Sequence, residues 1–199
     1  DVEKILVSNF DTSTDDAEDH EFDASLSDGV TTVGLSSSNA YGDTAFTNLK
    51  AITNAEMVNG EGDLQISHVN SAVSGESDSA TLTVSGQTGG AFSETAASGG
   101  LETLNVVSKG SANSVGINSG NNTVKTINIT CDQNLTTTVT STGLRTVDAS
   151  AFTGKLDLTN GTTAAVTFKG GSANDTFTFT GTTFTSTDTV DGGAGTDVL

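Results

Sequence analysis

The sequence predicts an all-β fold, a right-handed parallel β-solenoid, and two observations lead to it. The first is composition, since the chain is 33% hydrophobic and only 5% aromatic, with threonine and serine in place of large core side chains. Threonine favours strands because its branched Cβ suits a pleated surface. The chain has 23 glycines and no proline, which is typical of many short strands joined by turns.

The second observation is an internal repeat of the form apolar, charged, Thr, apolar, Asn or Asp. It occurs as LETLNV at 101–106, VKTINI at 124–129 and LRTVDA at 144–149. Further short strands are predicted at 114–117 (SVGI), 135–139 (LTTTV) and 156–158 (LDL). A period of about 20 residues with two or three short strands per repeat predicts the coils of a parallel solenoid, in which equivalent apolar residues stack.

The repeat also predicts which side chains face outward. The charged position, occupied by Glu102, Lys125 and Arg145, should alternate with inward Leu, Val and Ile. Weaker echoes occur at 2–7 (VEKILV) and 49–53 (LKAIT). An antiparallel sandwich of the immunoglobulin type is the alternative, but it predicts evenly spaced strands without a recurring phrase.

Two regions are predicted along the chain. Residues 1–62 form an acidic, less regular β region, and residues 63–199 form the Thr/Gly-rich solenoid. The acidic run at 11–23 (DTSTDDAEDHEFD) is not an EF-hand loop, because it lacks the glycine at the sixth place and has Phe22 rather than Glu at the twelfth. We interpret this run as a solvated loop or a place where cations gather loosely.

The net charge of −18 limits the partners of the chain. Such a field repels nucleic acid and anionic membranes, and no apolar run approaches the ~20 residues that a membrane span needs. Self-repulsion also destabilises the compact state unless cations neutralise it. Calcium is the predicted cofactor, since it prefers carboxylate and carbonyl oxygens, whereas a well-solvated acidic surface is the alternative.

A glycine–aspartate motif occurs twice near the C-terminal end. The second motif, GGAGTDVL at 192–199, fits G-G-x-G-x-D-x-U, in which U is a large apolar residue. The first motif, GGSANDTFT at 170–178, fits the same pattern except that Ala173 replaces the third glycine. Glycines permit a positive φ in a tight turn and let carbonyls point to one place, while the aspartate adds a charged oxygen. The motifs predict calcium between neighbouring turns. A glycine turn with a capping aspartate and no metal is the alternative.

The spacing of the two motifs makes the prediction more specific. They start 22 residues apart, so we expect them to stack on one edge while the long segment TFTFTGTTFTSTDTV at 176–190 bulges on the other. Ala173 is expected to weaken the first site by restricting its turn. Asp188 and Asp191 are expected to supplement the coordination. The predicted calcium ligands are Gly170, Gly171, Ser172, Asn174, Asp175, Asp188, Asp191, Gly192, Gly193, Gly195 and Asp197.

These residues resemble the calcium-binding repeats of RTX proteins, the large secreted proteins of Gram-negative bacteria. The phrases DASAFTG at 148–154 and GGSANDTFTF at 170–179 resemble more narrowly the Thr-rich surface-layer proteins of the Caulobacter and Campylobacter kind. The resemblance covers about residues 100–199. It implies a calcium-binding structural protein, exported by type I secretion, that self-assembles into a two-dimensional lattice on the cell surface. It also implies attachment to outer-membrane lipopolysaccharide through regions outside this segment, without insertion into the membrane. In a strict RTX β-roll the nonapeptides follow one another directly, which they do not do here.

No catalytic constellation is recognisable in the sequence, and we predict no enzyme. His20 and His68 lack a recognisable nucleophile motif and further zinc ligands, so both are predicted to be solvated or structural. Cys131 is alone, which excludes an internal disulfide, and it is predicted to be a buried small residue.

Two other classes of function stay open, an RTX adhesin segment and the calcium-binding C-terminal part of a type I secreted enzyme. The chain begins at Asp1 rather than Met and ends inside a nonapeptide, so we expect a segment of a longer protein whose export signals lie outside it.

Overall fold

The computed structural model describes residues 2–12, 20–96 and 98–199 of the chain. Within these ranges it contains 17 strands and a single 3-10 turn at Asn70–Ala72. The described ranges hold no helix of the length and hydropathy required for a membrane span.

The strands form two sheets that the chain visits alternately, so every second strand belongs to the same sheet. The first sheet contains β1 (Lys4–Val7), β3 (Thr32–Ser36), β5 (Asn54–Val58), β7 (Ser79–Ser85), β9 (Thr103–Lys109), β11 (Thr126–Cys131), β13 (Thr146–Asp148), β15 (Thr167–Lys169) and β17 (Thr189–Asp191). The second sheet contains β2 (His20–Asp23), β4 (Thr44–Leu49), β6 (Leu64–His68), β8 (Ala91–Ala96), β10 (Asn113–Ser119), β12 (Leu135–Thr140), β14 (Leu156–Asn160) and β16 (Thr176–Phe179).

All pairings between these strands are parallel, and strands in each sheet follow sequence order. One strand from each sheet therefore makes one coil, and the coils stack along an axis. The predicted parallel β-solenoid is confirmed, and the antiparallel sandwich is wrong.

The register confirms the repeat that the sequence predicts. Thr103 pairs with Thr126 and Thr126 with Thr146, so the threonines of the three phrases lie directly above one another. The predicted strands at 114–117, 135–139 and 156–158 lie within β10, β12 and β14, which are neighbours in the second sheet.

The alternation of outward and inward side chains also follows the prediction. Lys125 and Arg145 are exposed and Glu102 is half-buried, whereas the apolar residues two positions later are buried. One continuous core fills the space between the sheets. Five of the nine phenylalanines are buried in this core: Phe46, Phe92, Phe152, Phe168 and Phe177.

The two weaker echoes have different outcomes. VEKILV contains β1, which pairs in register with β3. LKAIT is not a strand, because Leu49 ends β4 and β5 begins only at Asn54. Leu49 and Thr53 are both buried. The phrase therefore has buried residues at its two ends, but it forms a corner between the two sheets and not a strand.

The acidic run lies partly outside the described residues, since the structure describes 11–12 and 20–23 but not 13–19. Its last four residues form β2, which pairs with β4. The strands of region 1–62 belong to the same two sheets as those that follow, and β5 pairs directly with β7.

Two edges of the solenoid are needed to place the candidate site. At the first edge the chain passes from the first sheet to the second, as it does at 149–155 and 170–175. At the second edge it returns, as it does at 161–166 and 180–188. The first motif occupies the first edge, and the second motif follows β17 at that same edge.

Candidate metal site at the first edge

The two glycine–aspartate motifs stack in register, as their spacing predicts. Lys169 pairs with Asp191 before the motifs, and Thr176 bridges to Val198 at their far end, so the offset of 22 residues is kept throughout. Between these points the N–H of Gly170 donates to the Asp191 carbonyl at 2.7 Å. The two turns are thus held against each other by backbone hydrogen bonds.

The extra residues between the motifs lie at the second edge. The connection at 180–188 is three residues longer than the connection at 161–166 in the preceding coil. Phe184 in this longer loop is exposed and packs on Phe179, with ring centroids 4.7 Å apart. The loop therefore accommodates the added length without disturbing the stack of the motifs.

Asp188 belongs to this loop and not to the stacked turns. Its carboxylate accepts the N–H groups of Val166 at 2.9 Å and Thr185 at 2.7 Å. Burial opposes its ionisation, but these donors outweigh burial, so the pKa of Asp188 lies below its ordinary value. The structure thus separates Asp188 from the other predicted ligands by the length of β17.

Asp175 is the most deeply buried carboxylate of the predicted site, with 1% of its surface exposed. Its Oδ1 accepts the N–H of Leu156 in the preceding coil at 2.8 Å. Its Oδ2 accepts the N–H of Gly171 in its own turn at 2.7 Å. This carboxylate therefore joins two coils and fixes the first motif, because charge-assisted hydrogen bonds of this kind are strong.

The second motif repeats the bond between coils, whereas the N–H of Gly193, equivalent to Gly171, is accepted by Asp191. Asp197 Oδ1 accepts the N–H of Asp175 at 2.9 Å, and Asn174 Oδ1 accepts the N–H of Thr196 at 2.9 Å. Asp197 Oδ2 lies against Gly192, where a Cβ would overlap it. A single carboxylate oxygen thus faces the glycines of the second motif.

The backbones of the two turns differ where their sequences differ. Gly193 has φ +85° and Gly195 has φ +124°, whereas no residue of 170–178, all of which are described, has a positive φ. Ala173 therefore fits the first turn because that turn does not use the left-handed conformation. A Cβ on Gly193 would overlap the Gly171 carbonyl, so the second turn requires its glycine for both conformation and space.

The remaining predicted ligands lie at the rim of the stack. Ser172 is exposed, and its backbone N–H donates to the Phe152 carbonyl at 3.1 Å. Asp191 is exposed as well, and its Oδ1 accepts the N–H of Gly193 at 3.1 Å. Both residues therefore border the stacked turns at the surface.

The carboxylate and backbone carbonyl oxygens at this edge are of the type that calcium binds. A Cβ on Gly170 would lie 2.7 Å from Asp175 Oδ2 and would overlap the Gly192 carbonyl, so these two oxygens lie on the same side of Gly170. Within residues 2–12, 20–96 and 98–199, no three His, Cys, Asp or Glu side chains converge into a group that could hold a metal. Backbone carbonyls and water would therefore supply most of the 6–8 oxygens that calcium takes. Asp175 Oδ2 would have to exchange the Gly171 N–H for the cation.

Sequence reasoning missed that Asp and Asn side chains bridge coils elsewhere on the first edge, there by accepting an N–H of the following coil, as Asn174 does. Asp43 Oδ1 accepts the N–H of Asp63 at 2.7 Å, and Asp63 Oδ1 accepts the N–H of Ala91 at 2.7 Å. Asn134 Oδ1 accepts the N–H of Lys155 at 3.0 Å in the same way. The available signal was an Asp or Asn directly before a strand of the second sheet, as in Gly42-Asp43 and Gly62-Asp63.

The two histidines and the cysteine are not part of the two stacked motifs. His20 is exposed, and its Nδ1 is 3.1 Å from Asn9 Nδ2. His68 is buried and contacts Glu94. Cys131 is half-buried rather than buried, because it ends β11 at a corner with φ +86°. The prediction of a buried cysteine is wrong for that reason.

Comparisons of the chain with protein-family models, with curated proteins and with solved structures found no significant match. The resemblance to RTX surface-layer proteins consequently stays a prediction from the motifs and the repeat.

Proposed function

We propose that this chain is a structural segment of a secreted bacterial surface-layer protein, a calcium-stabilised solenoid that self-assembles into a two-dimensional coat. The observation that carries the proposal is the in-register stack of the two motifs at the first edge. Two Gly–Asp turns on adjacent coils place carbonyl and carboxylate oxygens beside the glycines, as at Gly170 and Gly192. Carboxylate and carbonyl oxygens are the ligand types that calcium prefers, which supports the proposal.

Calcium would act on this segment as a bridge between coils. Asp175 and Asp197 would hold it together with the carbonyls of Gly170 and Gly192, and the cation would supply positive charge to an acidic chain. A ligand that binds only the folded state stabilises it by RT ln(1 + [L]/Kd). Folding would thus be favoured outside the cell, where calcium is abundant, and disfavoured during synthesis.

The outer surface of the solenoid supports a role in assembly. Thr136, Thr138 and Thr140 are exposed side by side along β12, and Thr178 is exposed on β16 two coils later. Short side chains lose little rotamer freedom when another copy covers them. The net charge of −18 would keep copies apart until cations lie between them, so calcium would also control association.

The first test is whether folding depends on calcium. Circular dichroism and urea unfolding would be measured with excess chelator, with millimolar calcium and with millimolar magnesium as the control for ionic strength. We expect a higher unfolding midpoint in calcium than in magnesium or chelator. An identical cooperative β-fold in all three solutions would refute the calcium part of the proposal.

The second test is assembly of the isolated chain. Electron microscopy should find ordered sheets in calcium and none in chelator. Persistent monomers that nevertheless bind calcium would favour the adhesin segment over the coat. The variant Asp175→Ala, compared with the surface variant Asp28→Ala, whose carboxylate lies at the second edge and outside the threonine-bearing face, would show whether assembly depends on the stacked turns.

A further inference from the structure

Glu94 is a buried carboxyl group inside the solenoid. It lies on β8 and points into the core near the second edge, with 1% of its surface exposed. The small cavity beside it is lined mainly by apolar side chains, among them Leu101, Leu104 and Ile127. An ionised carboxylate in such surroundings is costly unless a positive charge and hydrogen bonds balance it.

The one titratable partner of Glu94 does not supply that positive charge. His68 Nδ1 lies 3.4 Å from Glu94 Oε1, and the imidazole is fully buried. The other ring nitrogen, Nε2, accepts the backbone N–H of Thr53 at 3.2 Å. Because Nε2 acts as an acceptor, the ring carries its single hydrogen on Nδ1 and is neutral.

The second oxygen of Glu94 is unpaired. Glu94 Oε2 is buried without a hydrogen-bond partner among the described residues, and so is Thr123 Oγ1. Both oxygens lie on one side of Gly100, where a Cβ would be 3.2 Å from Glu94 Oε2 and would overlap Thr123 Oγ1. A hydrogen on Oε2 would neutralise the carboxyl group. The resulting O–H would be a donor on the same side of Gly100 as Thr123 Oγ1, which is an acceptor.

The elements packed around Glu94 offer no other charge among the residues described. His68 faces it from β6, and Ser119 is its register partner on β10. The first sheet contributes Leu104 and Ile127 to the same cavity. The electrostatic surroundings therefore favour the uncharged form of the carboxyl group.

We infer that Glu94 is a neutral carboxylic acid in the folded solenoid, so that folding takes up one proton at neutral pH. In an unfolded chain, glutamate is ionised above about pH 4.3. Above that pH the folded state then binds one proton more than the unfolded state, and the stability contributed at this position falls as the pH rises. The expected slope is tenfold in the unfolding equilibrium constant per pH unit.

Glu94→Gln tests this inference, because glutamine has nearly the same shape and cannot ionise. Urea unfolding of both proteins would be measured at pH 6, 7 and 8 in constant calcium and salt. The ratio of the two unfolding constants should change about tenfold per pH unit. Glu102→Gln is the matched control, since Glu102 accepts the N–H of Asp78 at 2.9 Å near the surface and should leave the slope unchanged. An equal pH dependence of the wild type and Glu94→Gln would overturn the inference.

A measurement on the unaltered protein covers the case in which Glu94→Gln does not fold. Carbon-13 NMR of the labelled chain should show the assigned Glu94 carboxyl at the chemical shift of a protonated acid at pH 7. A carboxyl signal that titrates together with those of exposed glutamates would overturn the inference. Neither experiment depends on the calcium site, so it separates this inference from the proposed function.

Discussion

Replacing Asp175 by alanine would remove the central hydrogen bonds of the first motif. The carboxylate accepts the N–H groups of Leu156 at 2.8 Å and Gly171 at 2.7 Å, and Asp175 is 1% exposed. Alanine leaves both donors buried and unpaired, at ~1–3 kcal/mol each, so we expect a loss of roughly 2–6 kcal/mol in the free energy of unfolding. Asp175→Asn should lose less, because its remaining oxygen can still accept the Leu156 N–H.

Urea unfolding in chelator, followed by circular dichroism, measures this loss without a contribution from calcium. Asp157→Ala is the matched control, since this aspartate lies on the outer face of β14 and pairs with Lys155 at 2.8 Å. A surface pair of this kind contributes about 0–1 kcal/mol. The reasoning is refuted if Asp175→Ala and Asp157→Ala lose the same stability. In calcium, Asp175→Ala should also lose any gain that the cation gives the wild type.

The other predictions concern a turn, a carboxyl group and the core. Gly193→Ala should disrupt the stack and weaken calcium binding in titration calorimetry, whereas Gly181→Ala, also at positive φ but in open space, should cost only about 1 kcal/mol and leave binding intact. The hydroxyl and N–H of Ser150, with Lys169, hold the pKa of Asp148 at about 2. Its stabilisation is therefore present above about pH 4 and lost as the pH falls towards 2, so Asp148→Asn should destabilise by at most about 2 kcal/mol at pH 7 and not at pH 2 in acid denaturation. Phe168→Ala should lower the free energy of unfolding by about 3–5 kcal/mol, because this ring is fully buried, and a loss below 1 kcal/mol in urea would contradict the described core.

The sequence predicted the fold well where its pattern was periodic. Thr103, Thr126 and Thr146 are equivalent residues of three coils, and the alternation around them set the inward and outward faces. The prediction failed at LKAIT and at Cys131, which lie at corners where the chain passes between the two sheets. Burial at a corner depends on the local packing and does not follow the alternation of a strand.

The candidate site was predicted in outline and not in its bonding. The spacing of the motifs placed Asp175 and Asp197 on one edge, and the structure stacks them there. The sequence could not show that Asp188 would turn to the opposite edge, since three residues of β17 separate it from the second motif. Nor could it show that Asp175 accepts two backbone N–H groups, because one of them comes from the preceding coil.

What the sequence determined by itself is the repeat, because periodic apolar residues specify their own stacking once strands run parallel. Tertiary structure alone decided which polar groups meet inside. His68 and Glu94 are 26 residues apart and face each other only because β6 and β8 lie side by side in the second sheet. The register between coils therefore determines which titratable groups meet in the core. This register is a property of the whole stack, and a single repeat does not specify it.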